Sequence, residues 1–192
     1  MYTFSIIDVI VITIVVIIVV FYLKTHFTEV VYVKSNVDGQ QYLVRKLPDQ
    51  QIAADLIADI TKDLTLLVKH MIAKYPENNM SRLLYKNFNP RNISEGSPQS
   101  GYTSYSVNKG ESIILCVRQK SDNKIVKKNV ILYVAIHELA HLATESIGHD
   151  DIFWNNFKFM LQEAIDIGIY SHTDYALKPE SYCGINITSS VI

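Results

Sequence analysis

The chain has 192 residues, 48% of them hydrophobic, with a net charge of −1 and a pI near 6.6. This length gives room for one globular domain plus an appendage. The charge leaves no basic footprint for nucleic acid, and two cysteines, Cys116 and Cys183, are too few for a disulfide scaffold or a Cys-rich zinc cluster. Two reduced thiols are the plainer reading of that pair, with one disulfide left open.

Phe4 to Leu23 reads FSIIDVIVITIVVIIVVFYL, with Asp8 as its single charge. At 1.5 Å per residue it would rise about 30 Å, the thickness of a hydrocarbon core. A cleavable leader would want a basic start, a shorter apolar core and small residues at its end. The expectation is therefore a membrane anchor over residues 1–24, touching lipid through residues 4–23. Lys24, His26 and Lys34 follow it, and the positive-inside bias then makes the chain a single-pass protein with its main domain cytoplasmic.

Val30 to Lys34 and Tyr42 to Leu47 flank the turn signal Asn36-Val37-Asp38-Gly39 and predict a β-hairpin, placed in a juxtamembrane segment, 25–48. Residues 49–192 form the remaining domain. Pro48-Asp49 opens a helix whose apolar stripe runs Ile52, Leu56, Ile60, Leu64, Leu67, Met71, Tyr75. Ser81 to Phe88 reads as a short helix, and Asn89 to Gly101 as a long polar loop. Thr103 to Val107 and Ser112 to Val117 flank Asn108-Lys109-Gly110, which predicts a second hairpin. The lysine-bearing stretch Lys120 to Lys128 reads as a solvated connection.

The next helix, predicted from Asn129 as N-cap to Ile147, carries His137-Glu138-Leu139-Ala140-His141. Histidines four apart lie one turn above each other on one helix face, so both imidazoles can reach one metal ion. Glu138 lies about 100° round the helix from His137, where a carboxylate can hold a water beside the metal. Hydrolytic zinc takes three protein ligands and keeps one position open. Gly148 reads as the residue that ends the helix in a left-handed conformation, folding His149 back as the preferred third ligand. Glu145, Asp150, Asp151 and Glu163 are its rivals. His26, His70 and His172 read as bystanders.

Asp151 to Ile169 predicts a further helix burying Phe153, Trp154, Phe157, Met160, Leu161 and Ile165. Tyr170 to Ile192 reads as irregular and tyrosine-rich. Within it, Tyr170, Tyr175 and Tyr182 are packing residues first and oxyanion donors second. Cys183 reads as a buried inert thiol before a zinc ligand or inhibitory plug.

HELAH followed by GHDDIFW resembles the zinc signature of the WLM and SprT-like metallopeptidases, through His137, Glu138, His141, His149, Phe153 and Trp154. The resemblance spans roughly Thr103 to Ile169. A wider, less specific pattern also resembles small uncharacterised proteins of large DNA viruses. The resemblance implies an α+β, minimal zincin-like domain: a small antiparallel sheet, an active-site helix and flanking helices. It implies Zn2+ on the three histidines and Glu138 as base. It also implies a polypeptide substrate, held near a membrane by the anchor and aligned along Ser112 to Val117 as an edge strand. Two departures stand out: the interval between His141 and His149 is longer than in typical WLM members, and a membrane span is not part of the core family pattern. The alternative is a catalytically silent, zinc-stabilised interaction module or a structural membrane or virion component.

Overall fold

Apolar residues at helical and strand spacing build a mixed α+β domain with small sheets in the computed structural model, which describes residues 5–26, 29–97 and 101–192. The first helix, α1, spans Ile6–His26, and its side chains from Ile6 to Tyr22 are exposed. Among the described residues no helix is long and apolar enough to cross a membrane. Asp8 stands in the first turn of α1, and the uncharged stretch between it and Lys24 rises only about 22 Å, against roughly 30 Å of hydrocarbon core. The expected single-pass anchor, and the cytoplasmic placement derived from it, are overturned.

Strands β1 (Val30–Lys34) and β2 (Gln41–Arg45) form the expected hairpin, with Val30 opposite Arg45 and Lys34 opposite Gln41. The hairpin is packed into the domain. Val33, Tyr42 and Val44 are buried in the common core, and Asp55 of helix α2 (Gln50–Lys74) accepts hydrogen bonds from Ser35 Oγ and the Asn36 amide. Helix α2 buries Ile57, Ile60, Leu64, Leu67 and Met71, but Ile52 at its start is exposed. Helix α3 (Asn79–Asn87) begins earlier than predicted because Asn78 caps it, accepting from the Met80 amide.

The predicted polar loop after α3 holds more order than its composition suggests: a 3-10 turn at Pro90–Asn92 and strand β3 (Ile93–Glu95), with residues 98–100 outside the description. Strands β4 (Tyr105–Val107) and β5 (Ser112–Leu115) form the second hairpin. Strand β5 also pairs in parallel with β3, so the sheet order is β3-β5-β4. The strand expected at the edge is therefore central, and β3 and β4 are the outer strands of this sheet. No local pattern could reveal this, because β3 reaches β5 across a loop that reads as irregular.

Helix α4 (Lys128–Leu142) starts one residue before Asn129 and stops five short of Ile147. Asn129 does not cap it; its side chain donates to the Ser171 carbonyl and accepts from the Ser171 amide. At the far end the Thr144 hydroxyl donates to the Ala140 carbonyl and the chain leaves the helix at Ala143. Helix α5 (Asp151–Asp166) packs on α4, and Asp150 caps it by accepting from the Phe153 amide. Phe153, Phe157, Met160 and Leu161 are buried, whereas Trp154 is 41% exposed.

The tail is not irregular throughout: β6 (Glu180–Tyr182) and β7 (Ile185–Ile187) pair antiparallel. Cys183, in their turn, is disulfide-bonded to Cys116, which corrects the reading of two reduced thiols. Beside it, buried Arg118 pairs with Glu95 (2.8 Å) and Asp49 (2.5 Å), joining the sheet to the start of α2. The disulfide spans a sequence separation of 67 residues, and closing a loop of that size is worth about 4 kcal/mol in a chain-entropy treatment. Cys116→Ser should lower the unfolding free energy by up to that amount in denaturant melts. Reductant should shift the wild-type midpoint and leave the variant unmoved.

Candidate metal centre

Helix α4 is buried on most of its circumference, with Ile131, Ala135, Ile136, Leu139 and Ala140 inaccessible. The strip that faces away from this core carries His137, Glu138 and His141, which line a cleft of about 680 Å3. The chain leaving α4 runs through Gly148, whose φ of +96° is a left-handed conformation suited to glycine, and returns His149 to the same cleft. One nitrogen from each of His137, His141 and His149 lies within 4.8 Å of the others. The Nε2 atoms of His137 and His149 are 3.1 Å apart. Tetrahedral zinc with Zn–N bonds of 2.0–2.1 Å requires separations of about 3.3 Å, so the donor set fits such an ion.

The imidazoles are oriented by aromatic neighbours. Phe153 stacks on His141 at 4.4 Å between centroids, and Trp154 stacks on His149 at 5.5 Å. Burial, reinforced by the other two histidines, pulls His137 down to about 3. Burial, the His149 ring and Lys109 pull His141 down to about 4. Both are neutral at pH 7, with a lone pair available to a metal.

Glu138 is 5% exposed. Burial pushes its carboxyl up to about 7, partly opposed by hydrogen bonds from the Ser106 hydroxyl and backbone amide. A dication on the histidines would pull it back down. Ser106 belongs to β4, so the sheet edge itself positions this carboxylate. Neither Ser106 nor Lys109 is marked by the sequence beyond strand and turn chemistry, because their partners are far along the chain.

Of the three tyrosines considered as oxyanion donors, only Tyr182 lines the cleft, its hydroxyl 2.6 Å from Ser104 Oγ. Tyr170 and Tyr175 pack behind Tyr133, at 6.2 and 4.9 Å between ring centroids. Cys183, held in its disulfide, is neither a thiolate ligand nor a plug. The rival ligands lie elsewhere. Glu145 accepts from the Asn79 side chain, Asp150 caps α5, and Asp151 is exposed in the first turn of α5. Glu163 accepts from Tyr75 (2.6 Å) and Lys74 (2.9 Å) and meets His70 at 2.6 Å. His172 meets the Ile192 carbonyl at 3.1 Å.

The chain belongs to the WLM domain family, whose model matches residues 37–180. It is similar to an uncharacterised protein of Acanthamoeba polyphaga mimivirus, 32% identical over 196 residues and covering all of both chains. It is also similar to an uncharacterised protein of Invertebrate iridescent virus 6, 29% identical, covering 78% of this chain and 85% of that one. The crystal structure of Wss1 from Saccharomyces cerevisiae aligns with a TM-score of 0.45 and 24% identity, covering 62% of this chain and 82% of that one.

Glu163 separates folding from the metal centre in a testable way. Burial alone would raise its carboxyl, but Tyr75, His70 and Lys74 outweigh that and hold it at about 2, below its ordinary 4.5. A depressed carboxylate stabilises the fold above its ordinary value, and that contribution is lost as pH falls towards the folded value. Glu163→Gln should therefore cost roughly 2 kcal/mol at pH 7. Its deficit against wild type should shrink between pH 4.5 and about 2 in denaturant titrations. Metal content at neutral pH should be unchanged.

Proposed function

We propose that the chain is a zinc-dependent peptidase in which His137, His141 and His149 hold the metal and Glu138 is the general base. The observation that carries this reading is one cleft in which three converging imidazole nitrogens share space with a buried carboxylate beside an open sheet edge. A structural zinc site would usually be closed by four protein ligands and would need no carboxylate beside it. Membership of the WLM domain family supports the same reading.

Zinc, when bound, supplies Lewis acidity that acidifies water and polarises a carbonyl. The protein residues do the rest. Glu138, aimed by Ser106, accepts the proton of the attacking water and returns it to the leaving amine. Burial raises the Glu138 carboxyl and a dication on the histidines would lower it again, which leaves a carboxylate able to take a proton from water.

We further propose an extended polypeptide as substrate, aligned along β4. Among the described residues the outer edge of β4 has no strand partner in the β3-β5-β4 order, and Thr103 to Ser106 line the cleft. Backbone pairing along such an edge recognises extended peptide with little dependence on sequence. With a net charge of −1, the chain has no electrostatic bias towards nucleic acid.

The purified 192-residue chain should bind one zinc and cleave an unfolded protein substrate. Glu138→Gln should keep the zinc and lose about 10²- to 10⁴-fold in rate, read by metal analysis and a cleavage assay. Stoichiometric zinc with cleavage independent of Glu138, or none at all, would instead identify a zinc-stabilised interaction module.

A further inference from the structure

Two of the three histidines are held by a helix and the third by a loop. Residues 143–149 are exposed at Glu145, Ile147, Gly148 and His149, so burial does little to set where His149 stands. Lys109 crosses to this loop from the β4–β5 turn. Its ammonium donates to the carbonyls of Thr144 (2.6 Å), Glu145 and Ser146 (3.1 Å). An ammonium has three N–H donors, and all three are spent on one stretch of backbone.

A lysine serving as an ordinary helix cap would meet the last carbonyls of α4 itself. The carbonyls held here lie past the end of α4, in the segment that leads to the third ligand. The turn is built for this reach. Asn108, Lys109 and Gly110 have φ of 44°, 53° and 112°, and two of these left-handed residues are not glycine. Gly110 is pressed so close to α3 that a Cβ there would lie 2.1 Å from the Asn87 carbonyl oxygen. The Asn87 side chain in turn donates to the carbonyl of Leu142, the last residue of α4 (2.8 Å). The turn is thus wedged between the ends of two helices, with Lys109 aimed at the loop.

We propose that Lys109 is a positioning residue for the metal centre, fixing the 144–149 loop so that His149 meets His137 and His141. This inference rests on reading the three histidines as a metal site. The same hairpin carries Ser106, so one element sets the general base along its strand and the third ligand at its tip.

The test is zinc affinity, by competition with a chromophoric chelator, for wild type, Lys109→Met, Lys109→Arg, His149→Ala and the Lys109→Met/His149→Ala double variant. Losing an outer partner of a metal ligand typically weakens binding about 10- to 100-fold, and that loss is expected for Lys109→Met. Lys109→Arg should recover part of it. In the His149→Ala background Lys109→Met should have no further effect, and the Co2+ absorption spectrum of Lys109→Met should shift towards that of His149→Ala. Wild-type affinity in Lys109→Met, or an equal loss in both backgrounds, would overturn the inference. Amide hydrogen exchange of the metal-free proteins separates the two readings. If wild type binds no zinc, the metal site falls, and exchange confined to 144–149 that quickens in Lys109→Met still decides whether this residue holds the loop.

Discussion

A helix can aim two side chains at one point but not three. His137 and His141 share a face of α4 because they are one turn apart, and no other position on that face reaches the same point. The third donor must arrive from outside the helix, so the centre depends on how the chain leaves α4. It does so early, at Ala143, with the Thr144 hydroxyl on the Ala140 carbonyl. It then reverses at Gly148, where a positive φ carries no steric cost for glycine. A helix continued to Ile147 would carry the chain about 7 Å further along its axis, moving His149 away from the pair it must join.

The surroundings convert that geometry into chemistry. Burial keeps His137 and His141 neutral and raises the Glu138 carboxyl, so one cleft tunes all three groups. Strand β4 ties the two together. Its Ser106 hydrogen-bonds the carboxylate and its Tyr105 and Ser106 line the cleft. The far wall is formed by the β6–β7 hairpin, which brings Tyr182, Ile185 and Ile187 and is anchored to the end of β5 by the Cys116–Cys183 disulfide. Behind the sheet, Arg118 is buried among carboxylates that would be costly to leave unpaired.

Much of this was legible in the order of residues. Local signals run over a few positions: the HELAH spacing, the turn residues of two hairpins, the apolar stripe of α2. Each corresponds to an element near where the pattern places it, because hydrogen bonds and side-chain periodicity within one element are set by near neighbours. The choice of Gly148-His149 as the returning segment also needed only local backbone chemistry. Boundaries were less legible: Asn129 is drawn to Ser171 instead of capping α4, a partner 42 residues away.

What the sequence determined by itself is the group of side chains able to hold a metal: a pair of histidines on one helix with a carboxylate beside them, and a third histidine after a glycine. Only the tertiary structure decided the rest. It put β5 at the centre of its sheet by pairing it with both β3 and β4, joined Cys116 to Cys183, assigned Glu163 to a cluster with His70, Lys74 and Tyr75, and delivered Lys109 to the loop that precedes His149. It also removed the apolar first helix from the role of a span. These outcomes depend on contacts between residues far apart in the chain, whose energies are settled by packing and by which polar groups are left to be paired. No short-range pattern carries that information.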